Sequence, residues 1–509
     1  SPDETANYFF SNLIATKTSL RSPLPFGGFL GTAVAPRSIA VLQNSYAPGS
    51  FLGLPIIAGL FAKVLGAWAI LVLPVLLASA CVPFFYLVLR RFFSPMVSLL
   101  SAILLYIHPA FWYYASRPMF HNALFLSLLI IGSYCFLRMV ETGRSTMAIA
   151  SGVLLSLALW TRTSEAVWVL PLVAFLCATY RHRIPKASFL LFFGMLSIFG
   201  ARLLTINAAV YGDALGSGYT ITTQTSADST AVTTVHASLS RFVLPFGIHR
   251  DRIATAVWQY FFLFLPLPAT LFLVGLAMSI RRLIHRRLPR TQIWFFGGAM
   301  AVIIWLITYY GSYLFQEFSD PDRLLPSNSH LRYWLPAYVL TLPFCAIALQ
   351  AIIDHFSRRR FARAVGALIL LAVVLLSVRS VLLDPLVGLA QVRTTVVKMI
   401  RSNATVQNAT EANAVIIAGY SDKVFFPDRF VMVQIPQDPA QRDTAFARIL
   451  SRTPLYFYRN VAETVSKHDW LTLAATGWSI TSVVRDGDNT LYAIHAPPQT
   501  TLETNPLTE

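Results

Sequence analysis

The stretch WAILVLPVLLASACVPFFYLVLRR, from Trp68 to Arg91, decides the class of fold. It carries no charged residue before the closing pair Arg90 and Arg91. About 20 consecutive apolar residues suffice to cross the hydrocarbon core of a bilayer as a helix. This stretch therefore predicts a transmembrane helix whose second end lies at the cytoplasmic surface.

Similar apolar runs continue along the chain, which has 509 residues, 55% of them hydrophobic and only 12% charged. An average soluble protein has about a quarter charged residues, so the composition excludes a soluble enzyme, a disordered basic tail and a disulfide scaffold. The four cysteines all lie inside apolar runs, where we expect them to be packing residues. We predict a polytopic α-helical membrane protein whose spans, about 10 by length and hydropathy, lie at 68–89, 96–115, 120–137, 147–160, 166–180, 187–209, 255–280, 293–311, 333–353 and 364–383.

The net charge of +17 first suggests a nucleic-acid partner, but its distribution indicates membrane topology instead. Every second connection between spans is basic, and only Glu141 and Asp354 are acidic on that side. Basic connections stay in the cytoplasm, so residues 1–67 and the chain after Leu383 are expected outside the membrane, and no nucleic acid is expected to bind. The basic positions are Arg90, Arg91, Arg138, Arg144, Arg181, Arg183, Lys186, Arg281, Arg282, Arg286, Arg287, Arg290, Arg358, Arg359, Arg360 and Arg363.

An outside start at Ser1 needs something upstream to carry it across the membrane. We expect an eleventh span before this sequence, with a cleaved signal peptide as the alternative. Three parts are predicted: a first extracytoplasmic loop with interfacial helices (1–67), a transmembrane domain (68–390) and a soluble extracytoplasmic α/β domain (391–509). In the last part, strands at 414–419, 430–435, 454–458, 479–485 and 490–495 are interspersed with helices at 440–451 and 462–475.

Two adjacent carboxylates, Asp3 and Glu4, begin the first loop. A carboxylate at the membrane surface could act as a general base on an acceptor hydroxyl. The structural alternative is a helix start, where acidic residues satisfy exposed backbone amides.

Several arginines lie at the outer ends of spans rather than in basic connections: Arg117, Arg162, Arg202, Arg332 and Arg379. Arginine suits phosphate because its planar guanidinium donates two hydrogen bonds at once. A converging set would bind a lipid-borne phosphate, whereas snorkelling to the interface is the alternative for any single one. For Arg162, a local pair with Glu165 is the structural alternative.

Other candidates for the same cavity are His121, His249, Arg250 and Tyr46. A lone histidine is more often a hydrogen-bonded structural residue, and Tyr46 precedes a Pro-Gly turn signal. Cofactors are not indicated with certainty. A divalent cation is left open, because Asp320-Pro-Asp322 alone is a weak signal for metal binding.

The chain resembles the GT-C superfamily of polytopic glycosyltransferases, in the branch around the dolichyl-phosphate-mannose–protein mannosyltransferases and the bacterial aminoarabinose transferases of lipid A. Pro2-Asp-Glu4 with Tyr8 matches the acidic motif of that family's first outside loop, and RSIAVLQNSYAPG at 37–49, continuing to Gly53-Leu-Pro55, matches the second half of that loop. The family's short hairpin between spans is similar to WTR at 160–162 with Glu165 and Pro171. Its signature at the outer end of a late span is similar to SHLRYWLP at 329–336.

This resemblance implies a donor with one sugar on a polyprenyl phosphate, whose chain lies in a groove between spans. It implies Asp3 as the general base, a phosphate held by Arg162, Arg332 and Arg202, with Arg117 nearby, and inversion at the anomeric carbon. Glu4, Glu165 and Tyr333 complete the expected site. Many members have a second acidic residue near 116–122, where this chain reads SRPMFHN. His121 and Arg117 are the local candidates instead.

The resulting hypothesis is an integral enzyme of the plasma or inner membrane with an extracytoplasmic active site, using an acceptor hydroxyl on a glycan, lipid or protein. Two other classes remain open. A transporter or flippase of an anionic lipid or solute also needs arginines in a cavity, but is expected to show internal repeats and broken helices. A non-catalytic membrane scaffold would use the outside domain to recruit other proteins.

Overall fold

The computed structural model describes residues 1–26, 29–42, 45–219, 244, 246–315, 323–355, 359–474 and 477–496. The Ser/Thr-rich stretch 220–234, which the sequence predicts to be mobile, lies outside this part of the chain, as does the Asp320–Asp322 motif.

The first 67 residues form three helices and a small antiparallel sheet of order β1-β3-β2. Two helices lie where interfacial helices are predicted. The sheet is not predicted, because its short strands are broken by proline and glycine and pair across the loop. The elements are α1 (Pro2–Lys17), β1 (Ser22–Pro23), α2 (Phe29–Ala33), β2 (Ile39–Leu42), β3 (Ser45–Pro48) and α3 (Gly53–Leu65).

A bundle of apolar helices follows, which confirms the predicted fold class. Among the described residues, eight helices are long and apolar enough to cross a membrane, or nine if one bent pair counts as a span. The helices are α4 (Ala69–Leu89), α5 (Pro95–Ile107), α6 (Pro109–Ala115), α7 (His121–Thr142), α8 (Ser145–Thr161), α9 (Ala166–Tyr180), α10 (Lys186–Tyr211), α11 (Arg250–Val257), α12 (Pro266–Ile284), α13 (Arg290–Gly311), α14 (Ser329–Tyr333), α15 (Leu335–His355) and α16 (Arg359–Ser377).

Two predicted spans differ in shape from simple helices. The run at 96–115 bends by 56° between α5 and α6, at His108-Pro109, because proline removes a backbone donor and clashes with the preceding turn. The run at 255–280 is divided between α11, a π-helical turn at Trp258–Leu263 and α12, which begins at Pro266.

The helices α7 and α15 form the centre of the bundle, since most of their residues are buried, whereas α10 lies at its edge with few buried residues. The first loop contacts the bundle closely. At the start of α3, a Cβ on Gly53 would lie 2.2 Å from the carbonyl carbon of Trp160 in α8. The two backbones therefore touch directly, as only glycine permits here.

After α16, a π-helical turn at Val378–Leu382 leads into a region with a five-stranded mixed sheet of order β5-β4-β6-β8-β7. The predicted strands and both predicted helices are present, and α17 was not predicted because its apolar residues alternate with polar ones. The elements are α17 (Leu389–Asn408), β4 (Val415–Ile417), α18 (Asp422–Phe425), β5 (Phe430–Met432), α19 (Pro439–Leu450), β6 (Leu455–Arg459), α20 (Thr464–Ala474), β7 (Ser479–Asp486) and β8 (Asn489–His495).

The two faces of this sheet bury different partners, because side chains alternate along a strand. In β6, Leu455 and Phe457 pack with residues of α19 and α20. Tyr456 and Tyr458 on the opposite face belong to a cluster that includes Phe10 of α1. The C-terminal sheet is therefore packed against the first loop, the segment that carries the two acidic residues.

Candidate active site

Asp3 and Glu4 both lie in the first turn of α1, where Pro2 opens the helix. The positive end of the helix dipole favours carboxylates at this position, as the structural alternative expects. Their side chains nevertheless have different partners. The two oxygens of Asp3 are held separately: Ser38 Oγ donates to Oδ1 at 2.6 Å, and Arg332 Nη1 lies 3.2 Å from Oδ2. The structure thus joins residues 329 positions apart in the chain.

The environment of Asp3 keeps it ionised. Burial alone would raise its pKa, but the positive charge of Arg332 and the hydrogen bond from Ser38 outweigh that effect, so the pKa lies below its usual value. An ionised carboxylate can accept a proton, which is the first requirement for a general base.

Arg332 lies in the short helix α14, just before α15. Its guanidinium carbon lies 5.2 Å from the ring centroid of Phe120 and 5.0 Å from that of Tyr333. Its bond to Asp3 uses Nη1, and its buried Nε has no hydrogen-bond partner among the described residues. This arginine therefore keeps donor capacity for a further anionic group.

Arg162 and Glu165 form a second ion pair, in the hairpin between α8 and α9. Arg162 Nη2 lies 2.6 Å from Glu165 Oε1, and both side chains are almost completely buried. Tyr310 of α13 donates to the same carboxylate oxygen at 2.6 Å, and Trp168 Nε1 donates to the other. The local pair expected as a structural alternative is present, with its carboxylate fully hydrogen-bonded.

Tyr333 lies between the two arginines. Its ring centroid is 4.8 Å from the guanidinium carbon of Arg162 and 5.0 Å from that of Arg332. The ring is also stacked on Tyr310 and Phe315. Aromatic faces attract guanidinium groups, so this ring holds the two cations at a fixed separation.

His121 is buried at the start of α7, close to the same charges. Its Nε2 lies 3.1 Å from Asn7 Nδ2 and 3.2 Å from Ser50 Oγ. Asp3, Arg162 and Arg332 all act on it electrostatically. The structure therefore brings Asp3, His121, Arg162, Glu165, Arg332 and Tyr333 into one cluster.

Glu4 and Arg117 belong to an adjacent ion pair instead. Both donors Nε and Nη2 of Arg117 contact the carboxylate of Glu4, and Nη1 donates to the hydroxyl of Tyr113 at 2.8 Å. The sequence predicts Arg117 as a ligand of the donor phosphate, but its guanidinium is already bound to Glu4 and Tyr113. Glu4 is likewise engaged as its counter-ion.

Four further candidates are not brought into the cluster. Tyr46 is buried in β3, where its hydroxyl donates to the Val34 carbonyl and its ring contacts Phe426; its orientation is set by packing on the C-terminal sheet. Arg202 is exposed on α10. His249 and Arg250 are exposed at the start of α11.

Several site residues have no distinctive sequence signal. Ser38 and Ser50 are ordinary loop serines, and Asn7 lies within α1. Tyr219 contacts Phe51 with ring centroids 5.0 Å apart and is influenced by the charges of Asp3 and both central arginines. Their position in the site becomes visible only from contacts between residues that are far apart in the sequence.

In the part of the chain that the structure describes, no three His, Cys, Asp or Glu side chains lie close enough together to hold a metal ion. The Asp320–Asp322 motif lies outside it. The question of a divalent cation therefore stays a prediction.

A large apolar cavity of about 440 Å³ lies between α4, α7, α9, α13 and α15. Trp168 and Pro336 line it near the ion-pair cluster, and Arg183 and Arg290 line it at the opposite end. The stretch of α9 along it, from Trp168 to Tyr180, is about 18 Å long at 1.5 Å per residue. The cavity can accommodate an extended hydrocarbon chain.

Comparison with known proteins supports the resemblance seen in the sequence. Residues 47–204 match the family model of the dolichyl-phosphate-mannose–protein mannosyltransferases. No curated protein is detectably similar in sequence to this chain.

Solved structures show the same fold at low sequence identity. ArnT from Cupriavidus metallidurans in the apo state has a TM-score of 0.54 and 12% identity, over 97% of this chain and 93% of that one. ArnT from the same organism bound to undecaprenyl phosphate has a TM-score of 0.50 and 12% identity, with the same coverage. The oligosaccharyltransferase of Archaeoglobus fulgidus in the apo form has a TM-score of 0.53 and 12% identity, over 99% of this chain and 71% of that one.

Proposed function

Since residues 47–204 match the dolichyl-phosphate-mannose–protein mannosyltransferase model and the chain shares its fold with ArnT, we propose that it is a membrane glycosyltransferase of the GT-C superfamily. In this proposal it transfers a sugar from a polyprenyl-phosphate donor to an acceptor hydroxyl. The observation that carries the proposal is the pairing of Asp3 with Arg332. It places an ionised carboxylate beside a cation that has unused donor capacity. A sugar transfer of this kind needs both a proton acceptor and a cation for the leaving phosphate.

The reaction is a single displacement. The donor phosphate binds Arg332, which then interacts less with Asp3. Asp3 loses part of the positive charge that stabilises its ionised form, so its affinity for a proton increases. The acceptor hydroxyl gives its proton to Asp3 as its oxygen bonds to the anomeric carbon. The bond between that carbon and the phosphate oxygen breaks, and its electron pair leaves with the polyprenyl phosphate.

Stabilisation of the leaving group falls mainly to Arg332. Hydrogen bonds to developing charge are strong in a site from which water is excluded. Arg162 contributes through its position across the ring of Tyr333, while Glu165 balances its charge. Attack from the side opposite the phosphate inverts the anomeric centre.

The polyprenyl chain of the donor is assigned to the apolar cavity beside α9. Support comes from the position of Trp168 and Pro336 at its rim, three residues after Glu165 and four residues after Arg332 in the chain. A relative of the same fold has been solved with undecaprenyl phosphate. The alternation of basic connections supports an extracytoplasmic active site.

The test is transfer by the purified protein from a panel of radiolabelled polyprenyl-phosphate sugars. The substitution Asp3→Asn is expected to lower kcat by about 10²–10⁴-fold, the usual contribution of a general base. Its affinity for polyprenyl phosphate should stay within a few-fold of wild type, since Arg332 remains.

A fully active Asp3→Asn variant would exclude Asp3 as the base. Absence of transfer from every donor, combined with movement of the labelled lipid between leaflets of a vesicle, would favour a transporter or flippase. Absence of both activities would favour a scaffold.

A further inference from the structure

Arg37, between α2 and β2, connects the first loop to the C-terminal region. Its Nη2 lies 2.6 Å from Asp422 Oδ1, and its backbone N–H donates to Asp422 Oδ2 at 2.8 Å. Nη2 also donates to the Tyr420 carbonyl at 2.8 Å, and the guanidinium lies over the Tyr420 ring. The Asp422 side chain is 1% exposed. One buried carboxylate thus fixes both the side chain and the main chain of Arg37 through charge-assisted bonds.

The next residue, Ser38, has a φ of 63°. This left-handed conformation is costly for a residue with a Cβ. The Ser38 carbonyl accepts a hydrogen bond from Gly49 N at 3.2 Å, and a Cβ on Gly49 would lie 2.5 Å from that carbonyl oxygen. Ser38 is therefore fixed from both sides, by Arg37 before it and by Gly49 across the loop.

The left-handed conformation of Ser38 directs its hydroxyl towards the cluster around Asp3. It donates to Asp3 Oδ1 at 2.6 Å. With Oδ1 occupied, Oδ2 is the oxygen directed at Arg332. The chain of contacts from Asp422 through Arg37 and Ser38 thus determines which oxygen of Asp3 faces the reaction.

We propose that Asp422 is a positioning residue for sugar transfer, acting through Arg37 and Ser38 to orient the carboxylate of Asp3. This inference rests on the proposed function, in which Asp3 is the general base. It gives the C-terminal region a part in catalysis from a distance, without contact with either substrate.

A positioning role predicts a change in pH dependence. Among the described residues, the charged and titratable groups that act on Asp3 include Arg332 of α14, His121 of α7 and Tyr219 after α10. The hydrogen bond from Ser38 favours the ionised carboxylate and lowers the pKa of Asp3. Without that bond the pKa rises, so activity is lost at a higher pH as acid is added.

The experiment compares Asp422→Asn and Ser38→Ala with a matched control, Asp443→Asn, in the full-length protein. Asp443 pairs with Arg442 in the same region but is about half exposed and has no described bond to the first loop. For Asp422→Asn and Ser38→Ala, kcat should fall about 10–100-fold, as misplacement of a catalytic group does. The donor KM should stay within about twofold, because Arg332 is unchanged.

In both variants the acid limb of the kcat profile should move to higher pH, and the double variant should be no slower than the slower single variant, since both interrupt one path. The control should match wild type. A folded Asp422→Asn variant with wild-type kcat and pH profile would overturn the positioning role, even if its melting temperature were lower.

If Asp422→Asn fails to fold, Ser38→Ala and Arg37→Lys decide the matter. Arg37→Lys keeps the charge but loses the forked geometry, so it should reproduce the kinetic change. Wild-type kinetics in both Ser38→Ala and Arg37→Lys would show that the contacts from Asp422 through Arg37 and Ser38 do not position Asp3. Absence of transfer by the wild-type protein would instead refute the proposed function itself, and full activity of Asp3→Asn would exclude Asp3 as the base, so these failures can be told apart from failure of the positioning role.

Discussion

Arg162 and Arg332 face the same tyrosine ring from two different ion pairs. Arg162 is paired with Glu165, whose oxygens also accept bonds from Tyr310 and Trp168. Arg332 has a single contact with Asp3 at 3.2 Å and a buried Nε without a partner among the described residues. In the first pair both carboxylate oxygens already have partners, whereas in the second pair the arginine keeps a donor that no described residue uses. Proximity to the site therefore does not by itself define an arginine's function.

The largest effect should come from the pair of Arg162 with Glu165. Glu165→Gln leaves the buried guanidinium of Arg162 without a counter-charge, and breaking a buried pair costs about 3–5 kcal/mol. We expect a clear drop in melting temperature in detergent. The matched control is Glu141→Gln, whose exposed pairs with Arg91 and Arg138 should contribute about 0–1 kcal/mol. Equal melting temperatures of the two variants would contradict the larger contribution expected of the buried Arg162–Glu165 pair.

The second-largest effect is expected from replacing Arg332, whose Nε has no described hydrogen-bond partner. Arg332→Gln should raise the Kd of polyprenyl phosphate about 10–100-fold, since a hydrogen bond to a charged group contributes about 1.5–3 kcal/mol. Titration of the purified protein with polyprenyl phosphate measures this directly. Arg332→Lys should recover part of the affinity, because the charge remains but the fork does not. Unchanged affinity in Arg332→Gln would remove Arg332 from the phosphate site.

The same variant should also change the pH dependence. In the wild type, Arg332 lowers the pKa of Asp3, so the base stays ionised to a lower pH than an ordinary aspartate. Removing that charge raises the pKa, and the acid limb of kcat moves to higher pH. Profiles for wild type and Arg332→Gln at saturating donor would show this shift. An unmoved limb would mean that Asp3 does not titrate in the rate-limiting step.

The smallest effect is expected for Arg202→Gln. This arginine is exposed on α10, and no described hydrogen bond joins its side chain to either pair. Donor affinity and kcat should match wild type, as measured in the same assays. A tenfold loss of either would show that α10 reaches the substrate.

The membrane spans were predictable because each is a local feature: an apolar run long enough to cross the bilayer and bounded by charges. The strands β4 and β6 were predictable for a similar reason. The sheet of the first loop was not, since its strands are only two to four residues long and depend on pairing across prolines and glycines.

The site shows the same limit. The pair of Arg162 with Glu165 is three residues apart and could be anticipated as a local alternative. The pairing of Asp3 with Arg332 crosses most of the chain, and the topology could indicate only that both lie at one side of the membrane. The role of Ser38 depends on a left-handed backbone and a distant aspartate, neither of which has a sequence signature.

The glycine at the start of α3 restricts how substrate preference can change in this architecture. With the backbone of Gly53 in direct contact with Trp160, the first loop cannot move closer to the hairpin, and a side chain at position 53 would push them apart. Ser50, Phe51 and Arg162 thus keep a constant spacing. On the proposed function, room for a larger sugar has to be made by exchanging side chains such as Tyr219, so selectivity is expected to evolve through rim residues while the frame stays the same.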